Sequence, residues 1–248
     1  MNTAKANNQD GNVAQAFEQP DWYINGYAAN IRIRCETVRT YTEGRTFENV
    51  LDVGCGDGSL SLPFLSGNCR ISFLDLSNAM LERVASRIPD NLRHQTKFLN
   101  GDFTQVDLPP SSFDLVLFVG VLAYVPDIKK IAERIRQVIR PGGLLMAECT
   151  DAAHFLGRLN FSYRDLTSLL RPGKCQTYRH RASEVVKAFQ EAGFNLRQTF
   201  RYNYSLPVIS RFTNQNQRYS LMRRFYGTAE SSRRQKLGSE SLMLFEAP

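Results

Sequence analysis

The sequence predicts an α/β protein built on a mostly parallel sheet with right-handed crossovers. Three observations predict it. Short apolar runs alternate with helix-length amphipathic segments from Val50 to Glu148. One run, Ser112–Val119, has the unbroken apolar character of a strand buried on both faces. A turn with three alternating glycines, Gly54, Gly56 and Gly58, follows the first run at once.

The elements read in order as follows. Residues 1–16 are polar and are expected to form a flexible tail, leaving 17–248 as a single domain. Asp21 is expected to cap a helix that runs to Tyr41, with Tyr23, Tyr27 and Ile31 on one face. Val50–Val53 is the first strand. After the glycine turn, Leu60–Leu65 is expected to open a helix. Arg70–Asp75 is the second strand, and Ser77 caps a helix from Asn78 to Arg87. Gln95–Asn100 is the third strand and Ser112–Val119 the fourth. Asp127–Ile139 is a helix that Pro141-Gly142-Gly143 breaks, ahead of a fifth strand at Leu144–Glu148. His154–Leu170 is expected to be helical, and Ser183 to cap a helix from Glu184 to Glu191. Phe194–Tyr204 and Ser239–Glu246 are the sixth and seventh strands.

Composition bounds the reading. At 248 residues, 42% hydrophobic and 22% charged, a soluble globular chain is expected. No apolar run is long enough to span a membrane, and the N-terminus lacks a signal-peptide core. Five scattered cysteines favour reduced thiols in a cytoplasmic protein over a disulfide framework or a metal site. The net charge of +7 is uneven. Arg197–Gly238 holds nine basic residues against one acidic residue, Glu230, and most of these lie in a long insert, 205–238, before the last strand.

The glycine turn narrows the chemistry. A strand, a glycine turn and a helix start would bring backbone N–H groups to a ligand. The spacing is G-x-G-x-G, not the G-x-G-x-x-G of dinucleotide sites, and Asp52 stands two residues ahead of Gly54. A carboxylate there would repel a pyrophosphate and suit a cofactor that carries a cation.

Asp52-Val53-Gly54-Cys55-Gly56-Asp57-Gly58 resembles the cofactor motif of class I S-adenosylmethionine-dependent methyltransferases. Asn100-Gly101-Asp102-Phe103, the run Phe113–Asp127 and the Arg140-Pro141-Gly142-Gly143 turn are similar to further motifs of that family, in the same order. The resemblance covers about Val50 to Glu148. It implies a three-layer, Rossmann-like, doubly wound seven-stranded sheet with an antiparallel last strand, the last two strands lying at the sheet edge. It also implies an N-terminal helical lid and a cap made by the basic insert.

The cofactor implied is S-adenosylmethionine, leaving as S-adenosylhomocysteine, with no metal. By resemblance Asp52 lies near the methionine end, contacted through the backbone of Gly54, Gly56 and Gly58. Asp75 would hold the ribose diol, with Leu76 against the adenine. Asp102 would take the adenine amino group, Phe103 would pack on the ring, and Phe118 would offer backbone near the sulfonium.

The acceptor is less legible. His154 follows the fifth strand at the ligand-binding edge and is the candidate base; His180 is a weaker one, and His94 reads as surface. Tyr124 stands where many relatives carry histidine and is expected to line the substrate pocket, as is Glu148. The function expected is methyl transfer to an O or N atom of a small biosynthetic metabolite, anionic or carrier-linked, by an enzyme able to form a homodimer. The alternative is an RNA or DNA methyltransferase whose basic insert grips phosphates, with Tyr202, Tyr204, Phe212, Tyr219, Phe225 and Tyr226 interleaved among the arginines. No Asn-Pro-Pro-Tyr-like tetrad follows the fourth strand, which weighs against that alternative. Further readings are a basic face for an acidic carrier or an anionic lipid surface, and a non-enzymatic cofactor-binding subunit.

Overall fold

A computed structural model of the chain describes residues 13–15, 17–155, 158, 177–203 and 213–248. Most of the expected helix at His154–Leu170 lies outside the described residues, as do Cys175, Tyr204, Arg211 and Phe212.

Seven strands form one sheet. They are β1 (Asn49–Val53), β2 (Arg70–Asp75), β3 (Thr96–Asn100), β4 (Phe113–Phe118), β5 (Ile139–Thr150), β6 (Asn195–Tyr202) and β7 (Glu240–Glu246). Their spatial order is β3-β2-β1-β4-β5-β7-β6. β3, β2, β1, β4 and β5 pair in parallel, while β7 runs antiparallel to both β5 and β6. The last two strands were expected together at the edge. They lie there, antiparallel to each other, with β7 between β5 and β6 and β6 outermost.

Alternation along the strands divides the core in two. On one face Leu51, Val53, Val116, Phe118, Leu145 and Phe245 pack against helices α3 (Ile128–Val138) and α4 (Ala182–Glu191). On the other, Val50, Ile71, Phe73, Leu115, Leu117 and Met146 meet α1 (Pro20–Tyr41), α2 (Asn78–Ser86) and α5 (Gln215–Tyr226). Every residue of β4 is buried, as its unbroken apolar sequence implies.

Several local expectations need correction. Residues 13–15 are helical and Val13 is only 7% exposed, so the tail boundary at 16 falls too late. Gln19, not Asp21, is the N-cap of α1; Asp21 sits in the first turn and pairs with Arg83 at 3.0 Å. Leu60–Leu65 opens no α-helix. A single 3-10 turn at Leu62–Phe64 ends where Leu65 turns extended, and Ser66 then bridges to Cys69. Ser183 lies inside α4, whose first turn is closed by the Glu184 carboxylate accepting the Arg181 N–H at 3.1 Å. The helix before Pro141-Gly142-Gly143 does end, at Val138, but β5 starts at Ile139 and not at Leu144, so it includes these three residues. Gly142 takes φ +71°, donates its N–H to the Ala247 carbonyl, and the strand continues from Ile139. Ser77 does cap α2, accepting the Met80 N–H at 3.3 Å.

A buried ion pair anchors α1 to the sheet. Arg34 on α1 meets Glu148 on β5 with Nε–Oε1 at 2.9 Å and Nη2–Oε2 at 2.6 Å, a bidentate arrangement. The Tyr202 hydroxyl on β6 donates to the same carboxylate, and Arg34 Nη1 donates to the Tyr23 hydroxyl at 3.1 Å. Burial pushes the Glu148 carboxyl upward, and the Arg34 charge opposes that rise. Glu148 was read as a pocket residue or a strand-end cap; it is the carboxylate of this pair. α5 packs on α1 in turn. Gln215 Oε1 accepts the Ala29 N–H at 3.1 Å, and Tyr219 and Arg223 both engage Glu36.

Removing one member of a buried pair strands the other charge, at a cost of about 3–5 kcal/mol. Glu148→Ala is therefore expected to lower the unfolding free energy in urea by about that much. A loss below about 1 kcal/mol, the range of exposed pairs, would show that water reaches the pair.

Candidate active site

A cavity lies at the carboxyl edge of the parallel strands, where open α/β sheets bind ligands. It encloses about 280 Å³, near the lower end for ligand pockets. Gly54 and Gly56 from the turn after β1, Asp75 and Leu76 from the end of β2, and Asp102 and Phe103 after β3 line one side. Phe118, Gly120 and Tyr124 after β4 line another. Val13, Phe17 and Tyr23 close it from the N-terminal side.

The turn is built for close approach. Gly54 sits at φ +64° and Gly56 at φ +53°, the left-handed region that favours glycine. A side chain on Gly54 would lie 2.5 Å from Val121 Cγ2, whereas one on Gly56 would meet nothing within 4 Å. Gly54 and Cys55 both donate to the Leu74 carbonyl, at 2.8 and 3.2 Å, which ties the turn to β2.

Asp75 completes that tie. Its Oδ2 accepts the Gly56 N–H at 3.0 Å and its Oδ1 accepts the Ser77 N–H at 3.0 Å. Burial raises its carboxyl, and these backbone donors hold the rise back. Asp102 braces its own loop: Oδ1 accepts the Thr104 N–H and Oδ2 the Thr104 hydroxyl, both at 2.8 Å. A carboxylate has about four acceptor positions, so each retains capacity toward a ligand. Phe103 and Phe118 meet edge to face at 5.8 Å.

The aromatic wall is continuous. Phe17 packs edge-on to Tyr23 at 5.2 Å and to Tyr124 at 5.9 Å, and Tyr23 stacks on Tyr27 at 5.1 Å. The Tyr23 hydroxyl is the one held by Arg34. Sequence reading missed Phe17 and the Arg34–Glu148 support. The Tyr23–Tyr27 spacing was its only visible signal.

Other sequence candidates fall outside the cavity. Asp52 is 1% exposed and faces the opposite side of β1, where its Oδ2 accepts the Ser61 hydroxyl. Burial pushes its carboxyl up to about 7. Gly58 is held by packing, since an added Cβ would lie 3.1 Å from both Leu62 and Val84. His154 does not line the cavity. Asp151 pins the loop after β5 by accepting the Ala153 and Ala182 N–H groups and pairing with Arg201, and this turns the His154 Nε2 to the Lys236 carbonyl at 3.1 Å. His180 Nε2 lies 2.8 Å from the Val125 carbonyl. His94 is exposed near the amino edge, as expected of a surface residue. Among the described residues, no His, Cys, Asp and Glu side chains group to hold a metal ion.

Residues 50–143 match the family model described as "Methyltransferase domain". That stretch of the chain is therefore similar to a methyltransferase domain. The chain is 30% identical over 156 residues to a sterol 24-C-methyltransferase of Aspergillus fumigatus, covering 59% of this chain and 40% of that protein. It is 29% identical over 152 residues to a malonyl-[acyl-carrier protein] O-methyltransferase of Enterobacter lignolyticus, covering 61% of this chain and 58% of that protein. The chain thus spans less than two thirds of the length of these curated relatives. Among solved structures, the magnesium protoporphyrin IX methyltransferase of Synechocystis, with bound SAH, superposes with a TM-score of 0.65 at 16% identity, over 97% of this chain and 100% of that one. That likeness is one of fold, and the seven-stranded order of the sheet agrees with it.

Two predictions follow from the geometry of the turn. Gly54→Ala should destabilise the protein more than Gly56→Ala, because both pay about 1–2 kcal/mol for a left-handed backbone but only Gly54 also displaces Val121. Equal losses in thermal melts would mean that Val121 yields freely. For Asp52, the folded carboxyl keeps its proton up to about pH 7 while the unfolded one loses it near 3.8. The folded state binds more protons in that window, so this residue's contribution to stability falls as pH rises through it, by up to about 1.4 kcal/mol per pH unit. Asp52→Asn should flatten the pH dependence of stability between those values. An unaltered slope would show that Asp52 is ionised in the fold.

Proposed function

We propose that the chain is an enzyme that transfers a methyl group from S-adenosylmethionine to an O or N atom of a small molecule. The observation that carries this reading is the convergence on one cavity of two glycines with exposed backbone, two carboxylates at consecutive strand ends and an aromatic wall. The donor set suits a ligand with a diol, an aminopurine and a cation. Asp75 would accept from the ribose hydroxyls, and Asp102 from the adenine amino group. Leu76 and Phe103 would flank the ring, and Gly54, Gly56 and the Phe118 backbone would border the amino-acid end.

When bound, the cofactor supplies an electrophilic methyl group. The protein's own task is to orient an acceptor in line with it and to keep water out. Phe17, Tyr23 and Tyr124 serve that task as an apolar wall, with Arg34 and Glu148 fixing Tyr23 from behind. Asp52 acts through the turn by holding Ser61. Tyr124 is the proposed acceptor-side residue, and His154 is left out of the proposed chemistry. Sterol and acyl-carrier-bound acceptors of the curated relatives support a small-molecule or carrier-linked acceptor, since the matched region is shared with them.

Isothermal calorimetry with S-adenosylmethionine and with NAD tests the cofactor. Heat with the first and none with the second is expected, and the reverse would overturn the reading. Asp75→Ala should weaken S-adenosylmethionine binding by about 1–3 kcal/mol, the cost of losing hydrogen bonds in a buried site. An unchanged dissociation constant would remove Asp75 from the cofactor site.

A further inference from the structure

The basic excess between Arg197 and Gly238 is not used by the cavity. Among the described residues of 213–238, none lines it. Part of the excess is neutralised within the fold: Arg197 pairs with Glu246, Arg201 with Asp151 and Arg223 with Glu36. Arg218, Arg224, Arg233, Arg234 and Lys236 pair with no carboxylate among the described residues. The one acidic neighbour in the segment is Glu230. Of the other carboxylates, Glu240 accepts from Asn30 and Asn203, and Asp151 pairs with Arg201.

Helix α5 sorts its side chains by face. Tyr219, Met222, Arg223 and Tyr226 turn inward, where Met222 and Tyr226 are buried and Tyr219 and Arg223 hold Glu36. Leu221 and Arg224 point the other way at i and i+3, and Leu221 is 43% exposed. The segment that follows adds Leu237, 48% exposed, and Arg234, whose guanidinium lies 4.7 Å from the Phe225 ring centre. Phe155, 70% exposed, stands beside them, because its neighbour His154 is bonded to the Lys236 carbonyl. Large apolar side chains thus project among unpaired cations.

We propose that this face docks the protein on an anionic lipid surface. Cations would lie among the headgroups while Leu221, Leu237 and Phe155 enter the boundary with the acyl chains. A nucleic-acid strand fits less well. Of the aromatic residues that interleave with the arginines, Tyr202, Tyr219 and Tyr226 spend their hydroxyls inside the fold on Glu148, Glu36 and the Leu237 carbonyl, and none of the three is exposed for base stacking. The surface also has a direction. Residues 234–239 lead into Glu240, which pairs with Thr150 and Tyr202 at the carboxyl ends of β5 and β6. The docking face therefore adjoins the sheet edge on which the cavity opens. This inference does not depend on the proposed activity.

Co-sedimentation of the full chain with lipid vesicles tests it. With about one third phosphatidylserine in phosphatidylcholine, at about 0.1 M salt, the protein should pellet, and added salt should release it. Pure phosphatidylcholine should bind at least about tenfold less. Reversing Arg224, Arg233, Arg234 and Lys236 together to glutamate should lower the partition at least about a hundredfold. Leu221→Ser with Leu237→Ser should lower it several-fold while leaving the salt dependence in place. Thermal melting checks that each variant is folded, and the leucine pair and the salt series carry the test if the fourfold variant is not. Equal binding to neutral and anionic vesicles, no binding to either, or folded variants that bind as the parent does would overturn the proposal. So would tRNA that binds more tightly than the vesicles and loses affinity in the same variants.

Discussion

A guanidinium and a carboxylate removed from water must find each other, and in this chain the meeting of Arg34 with Glu148 sets the geometry of the carboxyl edge. Neither charge could be buried alone. Together they fix where α1 crosses the sheet. Tyr202 and Tyr23 then attach to the pair from opposite sides, one from β6 and one from the cavity wall. The position of Tyr23 is thus decided by a pair whose two members stand 114 positions apart in the chain. α5 leans on α1 through Glu36 and follows the same placement. The aromatic wall and the basic outer face are both consequences of one desolvated pair.

The two ends of that arrangement have opposite electrostatic character. The cavity holds carboxylates braced by backbone N–H groups, a setting that favours a ligand bearing hydroxyl, amino and cationic groups. The outer face holds cations left without partners. The cavity lining thus carries three carboxylates, Asp75, Asp102 and Asp127, against one cation, Lys130, while the outer face is basic. The glycine turn belongs to the cavity lining. Its amides are partly spent on Asp75 and on the Leu74 carbonyl, so its shape is maintained from within the protein.

Much of this was legible in the sequence, for a physical reason. β1, β2 and β4 were placed within a residue or so, because short apolar runs bounded by turn residues mark strands of a buried sheet, β4 being buried throughout. Asp75, Leu76, Asp102, Phe103, Phe118 and Tyr124 could be brought to one edge, because each follows a strand in a parallel sheet and all such ends share a side. The rest depended on pairings with no local signature. Asp52 reads as a ligand-side carboxylate, yet the period of two along β1 puts it on the face opposite Leu51 and Val53. Pro141-Gly142-Gly143 marks the end of a helix, but not that the next strand already includes it, with Gly142 at positive φ. His154 sits at the right edge in the sequence and is drawn aside by Asp151. The Arg34–Glu148 bond joins segments that nothing in their spacing relates.

The slot taken by β7 bears on the order in which the molecule can be assembled. β6 pairs only with β7, and β7 comes after it in the chain. Until residues 240–246 exist and insert, β5 ends the sheet with an open edge, and β6 has no ladder to join. Phe200 and Tyr202 would meanwhile lack the neighbours Leu242 and Glu240 on their strand partner. A ribosome making this chain from its N-terminus therefore releases a half-finished sheet whose exposed border waits for the closing strand. That is the interval in which unpaired edges associate with one another. Completion of the sheet waits for residues 240–246, so a chaperone that shields β5 would find its binding surface here.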